Sequence, residues 1–228
     1  MMDSSRQFLQ FYLDNGYLFL GGFAVTIILC VLGTIGSIIL GFIVYLFSML
    51  PGSFTKGVYG TYLNCIRGTP LLILLFLLYY AAPQIGILLS AYTAGVLGLV
   101  IYGSAYFAEI FRAGFQSIPR GHIEAAQAVC LSPKDTIFHI KLPEMARLVV
   151  PHIFNMSIVL VKESAVLSII TIPELTKVTI SVVDTTFTVV EPYIAAAVLY
   201  WAFVEIIARV GRLSERMLSR RYGDLTST

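Results

Sequence analysis

Residues 124–132 read EAAQAVCLS and residues 140–143 read IKLP, and both stretches lie between two strongly apolar segments. Alanine, glutamate and glutamine favour helix, so this region predicts a helix-forming loop. In a chain that is otherwise apolar, such a loop is expected to contact a partner in the aqueous phase or to transmit force to it.

Composition identifies lipid as the solvent of most of the chain. Hydrophobic residues make up 57% of the 228 residues, charged residues make up 12%, and the mean hydropathy is +0.85. A water-soluble core of this size cannot hide so much apolar surface. The net charge of +2 is distributed over span ends instead of forming one patch, so nucleic acid is not expected as a partner.

Five apolar segments approach the length that a membrane-crossing helix needs, about 20 residues. A lone strand cannot satisfy its backbone in lipid, so each crossing is expected to be helical. The first apolar stretch, 17–50, is too long for a signal-peptide core and is interpreted as a retained anchor. The sequence thus predicts an all-α integral membrane protein, a single unit over 1–228, with spans near 19–48, 57–81, 91–113, 146–171 and 193–210.

The distribution of lysine and arginine assigns a side of the membrane to each end of the chain. By the positive-inside rule the loop 119–143 and the C-terminus are cytoplasmic, and the N-terminus is outside. The opposite side holds only Arg6 and Lys177. The residues assigned to the cytoplasmic side are Lys56, Arg67, Arg112, Arg120, Lys134, Lys141, Arg147, Arg209, Arg212, Arg216, Arg220 and Arg221.

The loop itself has readable local structure. Pro119 suits the first turn of a helix, and the alanine-rich stretch 120–130 is expected to continue that helix. Ser132, followed by Pro133, is typical of a cap for a second short helix that runs to about Ile140. The loop therefore predicts two short helices that meet at a bend. Periodicity alone leaves open an amphipathic helix that lies on the bilayer.

Three further segments, 67–71 (RGTPL), 108–121 (AEIFRAGFQSIPRG) and 160–164 (LVKES), accompany the loop. In this order and spacing they resemble the permease subunits of bacterial binding-protein-dependent ABC importers, in the polar amino-acid branch that carries histidine, arginine or glutamine. The resemblance extends over nearly the entire chain. The family pattern has glycine where this sequence has Cys130, and glycine accepts backbone angles that cysteine adopts less readily. We expect the same fold with a slightly altered turn.

The resemblance implies a division of labour among several subunits. It implies the type I ABC importer permease fold in the bacterial inner membrane, a second permease subunit, identical or homologous, and an extracytoplasmic amino-acid-binding protein. The sequence contains no G-x-x-x-x-G-K-[ST] phosphate loop. ATP and Mg²⁺ would therefore bind to a separate cytoplasmic ATPase homodimer, and this chain would be neither an enzyme nor a cofactor carrier. The residues expected to couple to that ATPase are Glu124, Ala125, Ala126, Cys130, Leu131, Leu142 and Pro143.

Lys162 and Glu163 lie inside an otherwise apolar span. A charge there costs about 3 kcal/mol on insertion scales, so it should face a cavity or a partner. The resemblance implies that Lys162 meets the α-carboxylate of an amino acid and that Glu163 meets the α-ammonium or a cationic side chain. The alternative is a structural pair neutralised by neighbouring helices. The other substrate-binding candidates are Arg67, Thr69, Asn155 and Ser164.

Two further charged sets are open to more than one interpretation. Arg67 stands just before Thr69 and Pro70, where proline should kink the second span. It either gates or lines the pathway or anchors the helix at the interface. Glu109 and Arg112 are spaced i,i+3 at the end of the third span and are interpreted as a structural pair.

The competing class is a self-sufficient membrane protein, either a small channel or an intramembrane enzyme. An enzyme should show a clustered nucleophile and base within its spans, and the sequence shows no such cluster. His122, His139 and His152 are too scattered to predict a metal site. The sequence leaves open which amino acid or opine is carried and whether the permease pair is homodimeric or heterodimeric.

The lysine and arginine asymmetry makes a testable prediction of topology. A single reporter cysteine near Leu89 should react with a membrane-impermeant reagent outside intact cells that lack an outer-membrane barrier. One near Lys134 should be protected until the membrane is opened. Equal labelling of the two positions would rule out the five-span arrangement.

Overall fold

The computed structural model describes residues 2–222, and this part of the chain is helical with no β-strand. The expected all-α architecture is confirmed. Residues 1 and 223–228 of the predicted unit 1–228 lie outside the described residues. The helices are α1 (Met2–Ser48), α2 (Ser53–Gly68), α3 (Leu71–Phe76), α4 (Ala91–Gln116), α5 (Arg120–Ala128), α6 (Pro133–Thr136), α7 (Leu142–Glu163), α8 (Leu175–Thr186) and α9 (Val190–Tyr222).

Four helical segments are long and apolar enough to cross a membrane, and a fifth apolar segment is broken. The broken segment consists of α2 and Leu71–Ile85, and the chain bends by 102° between these two halves. The prediction of about five apolar spans is confirmed in this form, with the second span, 57–81, bent instead of straight. The four unbroken segments are Gln10–Ser48, Ala91–Gln116, Pro133–Ile170 and Val190–Leu218.

The break in the second span follows from its proline. Pro70 carries no N–H, and it disfavours helical angles at the preceding residue. Thr69 accordingly adopts extended angles, φ −105° and ψ 125°, and α3 begins directly after Pro70. The kink that the sequence predicts at this position is therefore present.

The second helix of the loop does not end near Ile140, which corrects the sequence-based prediction. After α6 the chain passes through a wider, π-type turn, Ile137–Lys141, and enters α7 without leaving helical geometry. The wider turn precedes Pro143, which has no N–H to donate, and the helix passes this proline without ending. The predicted fourth span, 146–171, is thus the continuation of a helix that starts inside the loop.

Helix α4 lies between α1 and α7, and small residues allow the close approach. The Ser37 hydroxyl of α1 is fully buried and donates to the Leu99 carbonyl of α4 at 3.0 Å. A Cβ atom on Gly103 would lie 2.3 Å from Ser37 Oγ and 3.2 Å from Leu160 Cδ1 of α7. Both neighbours of α4 therefore converge on one glycine.

Helix α8 was not predicted from the sequence. Glu174 precedes it and is fully buried, where its carboxylate accepts the N–H groups of Thr176 at 2.9 Å and Lys177 at 2.7 Å. The Tyr200 hydroxyl of α9 donates to the same carboxylate at 3.0 Å. Burial raises the pKa of the Glu174 carboxyl above its ordinary value, while these donors act in the opposite direction. Glu174 thus caps α8 and ties it to α9.

The α1–α4 packing makes a prediction about stability. A Cβ atom at Gly41 would lie 2.7 Å from Phe107 Cβ and 2.8 Å from the backbone oxygen of Ser104. Because the backbone cannot move aside, Gly41→Ala should separate the helices. It should lower the free energy of unfolding by about 1 to 3 kcal/mol, which is measured as a lower melting temperature of the detergent-solubilised protein.

Gly21 supplies the matched control on the same helix, because a Cβ atom there would meet nothing within 4 Å. Gly21→Ala should leave the melting temperature unchanged or raise it slightly, since alanine favours helix. Equal melting temperatures for the two variants would mean that α1 and α4 are not held this closely.

Candidate functional site

One face of the bundle carries polar side chains along two of its apolar span helices, α4 and α7. On α7 the exposed residues His152, Asn155 and Lys162 recur at helical spacing, and Glu163 follows Lys162. On α4 the partly exposed residues of the neighbouring face recur in the same way. We call this face the polar lane, and it consists of Tyr102, Tyr106 and Glu109 of α4 and His152, Asn155, Lys162 and Glu163 of α7.

The lane side chains of α4 lie close to those of α7. The Tyr102 and Tyr106 hydroxyls lie 3.3 Å apart, and Glu163 lies within electrostatic range of Tyr102. Tyr106, Glu109 and His152 also line one cavity of about 280 Å³. The structure thus brings Glu163 and Asn155 to the same side of the bundle as the α4 tyrosines.

Lys162 and Glu163 end α7, where the helix tightens into the 3₁₀ segment Ser164–Ile170. Lys162 is exposed and Glu163 is half-buried. In the part of the chain that the structure describes, neither side chain forms an ion pair. Among the described residues no neighbouring helix therefore supplies a counter-charge to the pair.

Glu109 is the centre of a hydrogen-bonded ion network at one end of the lane. Its Oε1 accepts the Tyr59 hydroxyl and the Arg112 Nε, each at 2.8 Å. Its Oε2 accepts Arg112 Nη2 at 2.9 Å. These bonds tie α2 to α4, as the structural interpretation of the Glu109 and Arg112 pair requires.

Arg67 is the looser member of this network. Its Nη1 lies 3.8 Å from Glu109 Oε2, and its guanidinium lies 5.6 Å from the centroid of the Tyr106 ring. The side chain is 47% exposed and lines the 280 Å³ cavity. Arg67 is thus held less tightly by Glu109 than Tyr59 and Arg112 are.

Two of the expected substrate-binding residues are engaged elsewhere. Ser164 is fully buried and its hydroxyl donates to the Val161 carbonyl at 2.8 Å, so the structure does not bring it to the lane. The Thr69 hydroxyl donates to the Cys65 carbonyl at 2.7 Å and closes the end of α2. Short hydroxyl side chains commonly bond to the preceding helical turn in this way.

The loop 119–143 begins as predicted, with Pro119 directly before α5. Helix α5 ends in a Schellman motif, in which the N–H of Leu131 donates to the Ala126 carbonyl and that of Cys130 to the Gln127 carbonyl, each at 3.0 Å. Cys130 adopts a left-handed backbone angle, φ 53°. This conformation costs a residue that has a Cβ atom about 1 kcal/mol. The expected bend thus forms with cysteine in the position where glycine is usual.

Ser132 caps α6, as the sequence predicts: its Oγ accepts the N–H of Asp135 at 3.1 Å. The loop is fastened to the span helix by a contact between His122 Nδ1 and Glu144 Oε1. Helix α5 is therefore linked to α7 by side chains as well as by the backbone of the loop.

Ala126 is only 2% exposed, and it lies at the bottom of a shallow cavity that Val129 and Leu131 also line. Glu124, Ala125 and Cys130 are exposed. The large apolar side chains of the loop that are exposed include the predicted Leu131 (39%) and Leu142 (41%) and, in addition, Val129 (71%), Ile137 (41%) and Phe138 (65%). Pro143 is half-buried. Val129, Ile137 and Phe138 were missed because periodicity does not reveal which helix face the tertiary packing covers.

Comparison with known proteins assigns the chain to a family. It is 30% identical over 209 residues to the probable glutamine ABC transporter permease protein of Bacillus subtilis (strain 168), which covers 92% of this chain and 97% of that protein. It is also 30% identical over 200 residues to the arginine transport system permease protein of the same organism, with 87% and 91% covered.

Solved structures agree with the relatives. A crystal structure of an amino acid ABC transporter with histidines matches with a TM-score of 0.85 and 33% identity, covering 92% of this chain and 98% of that one. The methionine ABC transporter in an inward-facing conformation matches with a TM-score of 0.75 at 19% identity, covering 90% and 98%, and shares the fold. Residues 37–220 match the model of the family described as binding-protein-dependent transport system inner membrane component, and the chain belongs to this family of ABC transporter permeases.

Proposed function

We propose that this permease subunit carries a polar amino acid through the bacterial inner membrane along the polar lane. The observation that supports this most directly is the pair Lys162 and Glu163, two ionisable groups of opposite sign on an open face of a span helix. An amino acid is a zwitterion, and it needs both signs of charge to replace the water that it loses. Lys162 binds the α-carboxylate, and Glu163 binds the α-ammonium or a cationic side chain.

The other lane residues support the same pathway. Asn155 lies two turns before Lys162 on the same face of α7, and Arg67 lines the cavity at the Glu109 end. A substrate leaving the Lys162 and Glu163 site would therefore meet amide and guanidinium groups before the end of the bundle. Arg67 contacts the substrate on this path instead of serving only as an interface anchor.

The names of the relatives favour an amino-acid cargo. The relatives compared above are described as glutamine and arginine permeases, and an L-cystine permease of Bacillus subtilis (strain 168) is 31% identical over 204 residues. These amino acids share the α-carboxylate and α-ammonium and differ in side-chain charge. A site with one fixed cation and one fixed anion suits the groups that they share.

The lane requires a second permease subunit, identical or homologous. Polar and ionisable side chains are unfavourable against lipid tails, yet the lane is open on this chain. A second subunit that presents a similar lane would enclose a polar pathway between the two chains. A closed symmetric pair is the commonest way in which such a surface is covered.

A cytoplasmic ATPase homodimer binds to the loop 119–143, which we call the coupling loop. Val129 and Phe138 are 71% and 65% exposed, which favours contact with protein over contact with water. ATP and Mg²⁺ bind to that ATPase, because this sequence has no phosphate loop. Since α6 continues into α7, movement of the loop is transmitted directly to the helix that carries Lys162.

The lysine and arginine distribution supports an orientation with the N-terminus outside and the C-terminus and coupling loop in the cytoplasm. An extracytoplasmic amino-acid-binding protein then delivers the substrate to the end of the bundle opposite the loop. The whole chain acts as one transmembrane unit.

Substrate binding by the charged pair is tested by Lys162→Met and Glu163→Gln in the purified complex, reconstituted in vesicles with its binding protein. Lys162→Met should lower uptake about 10-fold or more, since a hydrogen bond to a charged group contributes about 1.5 to 3 kcal/mol. Glu163→Gln should impair a cationic substrate more than a neutral one.

Lys162→Arg serves as the control, because it keeps the positive charge and should retain more uptake than Lys162→Met. Complex assembly and basal ATP hydrolysis are measured alongside and should be unchanged in all three variants. Uptake at the unmodified rate in both Lys162→Met and Glu163→Gln would show that the two charges are structural.

Docking of the ATPase is tested at Val129, because Ala126 is buried in the loop itself. Val129→Asp places a charge in the proposed interface and should abolish co-purification of the ATPase and ATP-driven uptake, while insertion in the membrane is retained.

Cys130→Gly is the control, since glycine accepts the φ of 53° at that position, and it should leave both readouts intact. A Val129→Asp complex that still holds its ATPase and transports normally would place the interface elsewhere.

A further inference from the structure

A second cavity, of about 460 Å³, lies at the loop end of the bundle, and Arg112 stands between it and the 280 Å³ cavity because it lines both. The last turn of α1, the first turn of α2 and the last turn of α4 form its walls, together with residues of the loop. Helices α1, α2 and α4 all end or begin there, and the ends of membrane-crossing helices are expected at the level of the lipid headgroups.

The cavity is basic. Lys56, Arg112 and Lys141 all line it, and no aspartate or glutamate is among the described residues that do. Arg112 is held by Glu109 and by Gln116 Oε1 at 2.6 Å. Neither lysine forms an ion pair with any residue in the described part of the chain. Two positive charges are therefore left without a counter-charge among the described residues.

The position of Lys56 adds to this excess of positive charge. It belongs to the first turn of α2, a turn with no acidic residue and no side-chain cap at Gly52. The helix dipole places partial positive charge at this end, which disfavours a lysine and favours an anion. An anion in the cavity would offset both the charge of the lysines and the partial positive charge of the helix end.

The remaining walls are mostly apolar, apart from Ser48, Tyr59 and Gln116, and they continue onto the outside of the bundle. Tyr45 and Phe115 stack with their ring centroids 5.2 Å apart, and both line the cavity. Met49 lines it too and is 63% exposed, next to an exposed apolar stripe on α1 that includes Ile43 and Leu46. A ligand that fits is anionic at one end and apolar at the other.

We infer that this cavity binds the headgroup of an anionic phospholipid, with the phosphate between Lys56 and Lys141 and the acyl chains along the exposed stripe of α1. Basic pockets between membrane helices bind such headgroups through charge, and apolar chains bind by burial. A soluble phosphate would satisfy the lysines but leave the apolar walls uncovered. Only the choice of leaflet rests on the proposed orientation, which places this cavity in the cytoplasmic leaflet.

The test is lipid retention by the purified whole complex in nanodiscs made of equal parts phosphatidylcholine and phosphatidylglycerol, with the bound lipids identified by native mass spectrometry. The unmodified complex should retain phosphatidylglycerol preferentially. The double variant Lys56→Gln/Lys141→Gln should lower that preference about 25-fold, since each basic residue near the surface contributes a factor of about five. The assay does not measure transport, so its outcome is independent of the proposed substrate pathway.

Lys134→Gln is the matched control, because Lys134 is an exposed lysine of the same loop that does not line the cavity. It should retain phosphatidylglycerol like the unmodified complex. Assembly of each variant is checked by size-exclusion chromatography.

Three outcomes would overturn the inference. They are an unmodified complex without preference for phosphatidylglycerol, a double variant with the full preference, and release of the lipid by inorganic phosphate, which would identify a site for a soluble anion. Retention of the lipid in the presence of phosphate supports a site for the whole lipid.

Discussion

The close packing of α4 between α1 and α7 is the constraint on which the rest of the structure depends. At Gly103 the space for a single Cβ atom is already occupied from both sides, by Ser37 of α1 and by Leu160 of α7. This packing buries the small and apolar faces of α4. The tyrosines of α4, Tyr102 and Tyr106, remain on the face that is open, next to the exposed face of α7.

The charged groups on that open face divide into two kinds. Glu109 is fully engaged by Tyr59 and Arg112 and holds α2 against α4. Lys162 and Glu163 have no ion-pair partner in the described chain, although a charge inside a membrane is expensive unless it is paired or solvated. This difference separates a structural network from a proposed binding pair, and it supports the proposal that a second subunit encloses the face.

Features with a local cause could be predicted from the sequence. Pro70 predicts the break in the second span, and Ser132 predicts the cap of α6, because each effect depends on the residue and its immediate neighbours. The apolar spans were predicted from composition. Among the candidate site residues, Lys162 and Glu163 stand out in the sequence because they interrupt an apolar segment.

Features that depend on tertiary packing could not be predicted. Whether Ala126 faces outward or inward depends on how α5 lies against α7, and the burial of Ser164 depends on the neighbouring helices. Helix α8 had a weak signal, since Leu175, Val178 and Val182 recur at helical spacing. Its cap, Glu174, is recognisable only once the α9 residue that bonds to it is in place.

The central claim, that the α4 and α7 face becomes a water-accessible pathway, is tested most directly by thiol accessibility in the assembled complex. In a version without the native cysteines, Asn155→Cys on the lane is compared with Ile39→Cys, which is 57% exposed on the outside of α1. The account predicts that a charged, membrane-impermeant thiol reagent modifies position 155 and leaves position 39 unmodified. Modification of position 39 together with protection of position 155 would contradict it.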